Sequence, residues 1–142
     1  MENNSSSPTI LKVEGLTKYF GGLGAVQNFE MVLKQGDLNG LIGPNGAGKT
    51  TVFNLITGIY VPTRGLIEFD GTSTAGREPF EITRSGIART FQNIRLFSNL
   101  SVLDNVRIAY HPHAGYNLTD SVLRTKRFYA KEDELTEQAL DF

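Results

Sequence analysis

Gly43-Pro44-Asn45-Gly46-Ala47-Gly48-Lys49-Thr50-Thr51 decides how this chain is read. Gly, four residues, Gly, Lys, Ser/Thr is the pattern of a phosphate-binding loop. Glycines at 43, 46 and 48 are expected to take positive φ and to let the backbone approach a ligand closely. Successive N–H groups then turn inward as an anion nest. A following helix adds its unpaired N-terminal N–H groups and the positive end of its dipole. Lys49 supplies a full positive charge for the β- and γ-phosphates, and the Thr50 hydroxyl is a hard oxygen suited to Mg²⁺. The loop therefore predicts a nucleoside triphosphate with Mg²⁺.

The flanks agree with this reading. Leu38, Leu41 and Ile42 read as the end of a buried strand before the loop. Val52, Phe53, Leu55, Ile56 and Ile59 read as an apolar helix after it, stopped near Gly58 and Pro62. Strand, loop, helix is the context the motif requires, and a chance Gly-rich turn lacks it. Asn39 is out of tune inside that strand, where its amide needs partners or costs stability.

Working outward, Ile10–Glu14 alternates and reads as a strand, and Gly21, Gly22 and Gly24 mark a turn. Val26–Leu33 reads as a second strand with Phe29, Met31 and Leu33 on one face, and Gly36-Asp37 as a turn. Gly65–Phe69 is a third strand closed by Asp70-Gly71. Pro79–Ser85 suits a short helix ending at Gly86, and Ile87–Phe91 a short strand. Ser101 and Asp104 have the spacing of a capping box opening a helix that Pro112 limits. A last helix starts near Lys126, with Phe128, Leu135, Ala139 and Phe142 near one face. His111-Pro112-His113 has no further ligands nearby and reads as a loop. Arg124, Lys126, Arg127 and Lys131, then Glu132, Asp133, Glu134 and Glu137, read as a solvated helix face.

Composition sets the bounds. The 142 residues suffice for a domain with a core. A net charge of −1 leaves no overall footprint for nucleic acid. The absence of cysteine excludes disulfides and thiolate metal sites. No apolar run approaches the roughly 18 residues of a membrane span. Residues 1–9 are polar, unlike a signal peptide, and read as a disordered tail on a cytoplasmic protein.

Several features at their spacings resemble the nucleotide-binding subunit of an ABC transporter. Gly43–Thr51 resembles the Walker A motif, and Ile87-Ala88-Arg89-Thr90-Phe91-Gln92 the Q-loop strand with Gln92 as its glutamine. Thr17-Lys18-Tyr19-Phe20-Gly21-Gly22 resembles the A-loop region, so that Phe20 (or Tyr19) would stack on adenine. Arg89–Phe97, then Leu100–Val106, with the long insertion from His111 to Leu140, is similar to ATP-binding subunits for branched-chain amino-acid uptake. Subunits for urea or amide uptake look alike here.

The resemblance implies an α/β fold: a P-loop NTPase core with an N-terminal antiparallel β part and the start of a helical subdomain, truncated. It implies a disordered tail over 1–9, a nucleotide-binding core with Walker A and Q-loop over 10–92, and the beginning of the helical subdomain over 93–142. ATP and Mg²⁺ are the implied cofactors. Gly43, Pro44, Asn45, Gly46, Ala47, Gly48, Lys49, Thr50 and Thr51 would hold the nucleotide. Thr50 and Gln92 would hold the metal, and Lys49 and Gln92 would serve catalysis. Transmembrane permease subunits would dock on the Q-loop and helical region, and a second ATP-binding subunit would complete a dimer. The protein would be peripheral on the inner face of the plasma membrane.

Some parts of that family's cycle resemble nothing here. The signature motif, the Walker B strand with its acidic pair, and the switch histidine are missing. Leu66-Ile67-Glu68-Phe69-Asp70 is a decoy, with Gly71 where the catalytic acid belongs. The chain alone is therefore expected to bind ATP without turning it over. It is further expected to leave an open apolar sheet edge and to be marginally stable. Phe142, apolar and last in an unfinished helical pattern, suggests a fragment boundary. A GTPase would need a guanine-reading Asn/Thr-Lys-x-Asp motif, and Thr125-Lys126-Arg127-Phe128 lacks the Asp.

Overall fold

The computed structural model describes residues 7–91, 96–110 and 114–141. The chain divides into two compact units, 1–89 and 90–142. The expectations placed on residues 1–6, Gln92, His111-Pro112-His113 and Phe142 lie outside the described residues.

In the first unit, alternating apolar residues make β1 (Thr9–Phe20) and β2 (Leu23–Lys34), joined at Gly21-Gly22. β3 (Arg64–Phe69) pairs with the other edge of β1, and β4 (Thr72–Ser73) follows across the Asp70-Gly71 turn. The order is β2-β1-β3-β4, antiparallel throughout. Leu11 and Val13 face inward with the period of a strand, and the next inward residue is Leu16. The register shifts between Val13 and Leu16. One extra residue there resets the parity, so that Leu16 rather than Gly15 enters the core.

The helix after the loop is α1 (Lys49–Ile56). Val52, Leu55 and Ile56 recur at helical spacing and are buried against Leu11, Val13, Leu16, Val26 and Ile67. Each such side chain stabilises the unit by about 1.5–3 kcal/mol through burial. Phe29, Met31 and Leu33 pack on this cluster from β2 as their alternation predicts. α2 (Pro79–Ser85) keeps its expected bounds, opened by a Glu78–Glu81 capping box and closed by Gly86.

Two expected strands are absent, and both are corrections. Residues 37–44 form no strand, with Leu38 fully exposed and Ile42 95% exposed. Only Leu41 of the three apolar residues there packs on the core. Residues 87–91 form no strand either; Ile87 packs on the core while Phe91 is exposed. Apolar patterning does not make a strand without a neighbour to pair with, and the described sheet contains neither segment. Asn39 is exposed, so its amide carries no desolvation cost.

The second unit is helical: α3 (Val102–Tyr110), α4 (Leu118–Leu123) and α5 (Lys126–Leu140). The Asp104 N–H donates to Ser101 Oγ at 3.1 Å, the expected cap of α3. Asn117 and Asp120 form a capping box on α4, and Thr125 caps α5. Leu135 and Ala139 are buried, as the last helix's pattern predicts.

Glu132 corrects the expectation of a uniformly solvated acidic run. Its two carboxylate oxygens accept from Arg107 Nη2 on α3 and from the Tyr116 hydroxyl, both at 2.5 Å. Arg107 also pairs with Asp104. Burial, then the hydrogen bond to Glu132, pushes the Tyr116 hydroxyl up to about 12.

Candidate functional site: the phosphate loop and its cleft

The loop runs exposed from the core-packed Leu41 to Gly48, the N-cap of α1. The Ala47 N–H donates to the Pro44 carbonyl at 3.2 Å, closing the turn at the loop's centre. Gly46 and Gly48 have φ of +85° and +84°. Gly43 is not among the positive-φ glycines, which corrects the expectation for that position. There a Cβ would sit 3.2 Å from Ala47 Cβ, so its constraint is space rather than backbone conformation.

Gly48 carries both constraints. A Cβ on it would lie 2.3 Å from the Ala25 carbonyl oxygen and 3.3 Å from Val26 Cγ2. The start of β2 therefore abuts the N-terminus of α1 with no room for a side chain. No side chain caps this N-terminus. The first-turn N–H groups thus remain available to an anion, at the positive end of the helix dipole.

Lys49 folds back over the loop. Its Nζ donates to the Gly43 carbonyl at 2.6 Å and to the Pro44 carbonyl at 2.7 Å. The ammonium is thereby held at the loop by backbone acceptors that phosphate oxygens are able to replace. Thr50 is exposed, and its hydroxyl makes no hydrogen bond among the described residues. Thr57 differs: its hydroxyl donates back to the Phe53 carbonyl within the helix.

A cleft of about 310 Å³ gathers Asn45, Gly46, Gly48, Lys49, Thr50 and Thr51 from the loop with Leu23, Gly24 and Ala25 from β2. That volume lies at the small end of the range for small-molecule sites. The β2 residues were not singled out by their sequence; Gly24 offered the only signal, as a small residue near a turn. Gly43, Pro44 and Ala47 belong to the loop without lining the cleft.

Phe20 is not among the lining residues. Its ring meets Tyr60 edge-on, with centroids 5.1 Å apart, and carries the Lys18 ammonium 5.2 Å from its centroid. Tyr19 turns the other way: its Cε1 lies 3.0 Å from where a Cβ on the cleft-lining Gly24 would sit. Among the described residues no three His, Cys, Asp or Glu side chains gather as a metal site. Mg²⁺ needs no such cage, because it keeps water and takes phosphate oxygens beside one or two protein ligands. The free Thr50 hydroxyl beside the loop fits that pattern.

Known proteins resemble this chain in sequence and in fold. A profile of the ABC transporter family matches residues 26–141. The chain is 44% identical over 133 residues to the high-affinity branched-chain amino acid transport ATP-binding protein BraF of Pseudomonas aeruginosa, covering 94% of this chain and 52% of that protein. It is 41% identical to the corresponding protein LivG of Escherichia coli K12, with the same coverage. Among solved structures, a nucleotide-free ATP-binding cassette from an ABC transporter superposes with a TM-score of 0.73 at 34% identity, over 94% of this chain and 52% of that one. The ADP conformation of MJ1267, an ATP-binding cassette of an ABC transporter, gives 0.67 at 33% identity, over 84% of this chain and 47% of that one. The chain spans about half the length of the curated relatives it matches. With an uncapped phosphate loop at its centre and a family match over most of its length, the chain belongs to the ABC transporter family.

Proposed function

We propose that this chain is the nucleotide-cradling portion of the ATP-binding subunit of an importer for branched-chain amino acids. One observation carries the reading. The loop 43–51, with Gly46 and Gly48 in positive φ, delivers an uncapped helix N-terminus, Lys49 and Thr50 to one cleft. The solute class follows from the relatives, which are named for branched-chain amino acid transport.

The backbone N–H groups of the loop and the first turn of α1 hold phosphate oxygens. Lys49 exchanges its contacts to Gly43 and Pro44 for the β- and γ-phosphates. Mg²⁺, when bound, would supply charge neutralisation, and Thr50 would hold it from this chain, with Gln92 as the second ligand. Phe20, with Tyr19 as the alternative, stacks on the base.

Residues 10–92 act as the nucleotide-binding core and 93–142 as the start of a helical subdomain. The segment around Gln92 and the helices after it meet the permease, and a second ATP-binding subunit faces the cleft. The assembly is peripheral at the cytoplasmic face of the membrane. On this reading the chain binds ATP without turnover, because its sequence offers no Walker B motif to supply the acid that polarises the attacking water.

Titration of the purified chain with a fluorescent ATP analogue, with and without Mg²⁺, tests the reading. Lys49→Ala removes charge-assisted hydrogen bonds of about 1.5–3 kcal/mol, so it is expected to weaken binding at least about tenfold. Binding that is unchanged in Lys49→Ala, or turnover of ATP by the chain that Lys49→Ala abolishes, refutes the respective half of the proposal.

A further inference from the structure

Lys18 and Tyr60 both bear on the Phe20 ring. Lys18 Nζ donates to the Val61 carbonyl at 2.7 Å. The same ammonium stands 5.2 Å from the Phe20 centroid and 5.9 Å from that of Tyr60, within reach of both π-faces. The two rings meet edge to face at 76°, with centroids 5.1 Å apart. One cation thus joins the end of β1 to the segment 60–63. The backbone makes the same join. The Thr63 N–H donates to the Thr17 carbonyl at 2.9 Å, and the Tyr19 N–H to Thr63 Oγ1 at 3.1 Å. Tyr60 is in turn fixed to α1, its N–H donating to the Asn54 carbonyl at 3.1 Å. All these groups lie in the first unit.

The placement matters because of where Phe20 stands. It is the register partner of Leu23, and Leu23 lines the phosphate-loop cleft. Residues directly opposite on paired strands present their side chains to the same side of the sheet. Phe20 is therefore at the rim of the cleft, and it is exposed, which leaves ring surface open to a ligand. The hairpin tip beside it gives no support. Neither Gly21 nor Gly22 has an atom beyond its chain neighbours within 4 Å of its Cβ position. What holds the ring comes from Lys18 and from Tyr60.

Resting on the proposed ATP-binding role, in which Phe20 stacks on the base, we infer that Lys18 and Tyr60 are positioning residues for that stack. They hold the Phe20 ring at the cleft rim before the nucleotide arrives, and neither touches the nucleotide. A ring free to turn at a hairpin tip would lose rotamer freedom on binding, which costs about two- to tenfold in affinity. Held by the ammonium and by the Tyr60 edge, it has already lost that freedom.

Paired titrations of the chain with Mg–ATP and with Mg–inorganic triphosphate test this, because only ATP carries a base. In the unsubstituted chain ATP is expected to bind about fivefold or more tightly than triphosphate, the scale of one base on one aromatic ring. Lys18→Met keeps the stem and removes the ammonium. It is expected to reduce that preference by about two- to fivefold, the scale of an exposed cation–π contact, with triphosphate affinity nearly unchanged. Tyr60→Leu keeps apolar bulk without the ring edge and is expected to reduce the preference by about two- to tenfold. It stands in if Lys18→Met fails to fold. Phe20→Leu is expected to remove the preference, and Lys18→Met is then expected to have no further effect on it.

Equal weakening of ATP and triphosphate in Lys18→Met makes the lysine a general attractor of anions and overturns the inference. So does a full preference retained in Lys18→Met or in Tyr60→Leu, or an effect of Lys18→Met that persists without Phe20. An unsubstituted chain that binds both ligands equally tightly shows that Phe20 holds no base, and the inference falls while the phosphate site stands. If the unsubstituted chain binds neither, it is the ATP-binding role itself that fails.

Discussion

Replacing the three loop glycines one at a time with alanine separates conformational strain from crowding. Gly48 combines φ +84° with a Cβ position 2.3 Å from the Ala25 carbonyl oxygen. Left-handed backbone costs an alanine about 1–2 kcal/mol. Opening the contact to ordinary distance requires about 1 Å of backbone movement, an overpacking cost of about 1–3 kcal/mol. Gly48→Ala is therefore expected to destabilise the first unit by about 2–5 kcal/mol. Gly46 has φ +85° but no atom within 4 Å of its Cβ position, so only the strain of about 1–2 kcal/mol remains. Gly43→Ala meets only Ala47 Cβ at 3.2 Å, without a positive φ. The alanine's lower unfolded-state entropy, worth about 0.4–1 kcal/mol, offsets that crowding and leaves stability nearly unchanged. Urea titration followed by far-ultraviolet circular dichroism ranks the three. Equal destabilisation by Gly48→Ala and Gly43→Ala, within about 0.5 kcal/mol, refutes the assignment of the Ala25 contact as the dominant constraint.

Two further predictions come from outside the loop. The Tyr116 hydroxyl is raised from 10.0 to about 12, so the folded second unit holds its proton more tightly than the unfolded chain does. That contribution is complete below pH 10 and is lost as pH rises to about 12, and Tyr116→Phe is expected to remove this part of the pH dependence in hydrogen-exchange measurements of α5. A wild-type slope that persists in Tyr116→Phe contradicts the origin of the shift. Leu38 and Ile42 are almost fully exposed, and replacing both with Ser is expected to lower the light scattering of concentrated chain without changing its thermal midpoint by more than about 2 °C. A large drop in the midpoint shows instead that these side chains are buried.

How far the sequence could be read depended on whether the information was local. The hairpin, α2 and the Ser101 cap are set by residues a few positions apart: alternation, Pro79 before Gly86, Ser101 before Asp104. The loop is equally local, and its expected residues gather at one place in the structure. The failures were segments whose conformation depends on a neighbour. Residues 37–44 and 87–91 carry strand patterning, but pairing is a property of two segments, and patterning in one does not supply the other. Glu132 looked like part of a charge run because its partners, Arg107 and Tyr116, are remote in sequence. Gly43 was misread for a different reason. Glycine is selected both for φ and for space, and its letter does not distinguish them.

The unpaired segment 37–44 has a thermodynamic consequence. It is held at one end by Asp37, whose carboxylate accepts from the Lys34 N–H, near its middle by Leu41, and at the other end by Lys49 on the Gly43 and Pro44 carbonyls. The last of these ties is the one that phosphate displaces. Anion capture therefore exchanges an internal clasp for an external one: Lys49 gives up the Gly43 and Pro44 carbonyls and gains charge-assisted contacts to phosphate. Calorimetry of nucleotide binding should accordingly show a favourable enthalpy that Lys49→Ala reduces. The loop's own carbonyls keep the lysine at its post until a ligand relieves them of it.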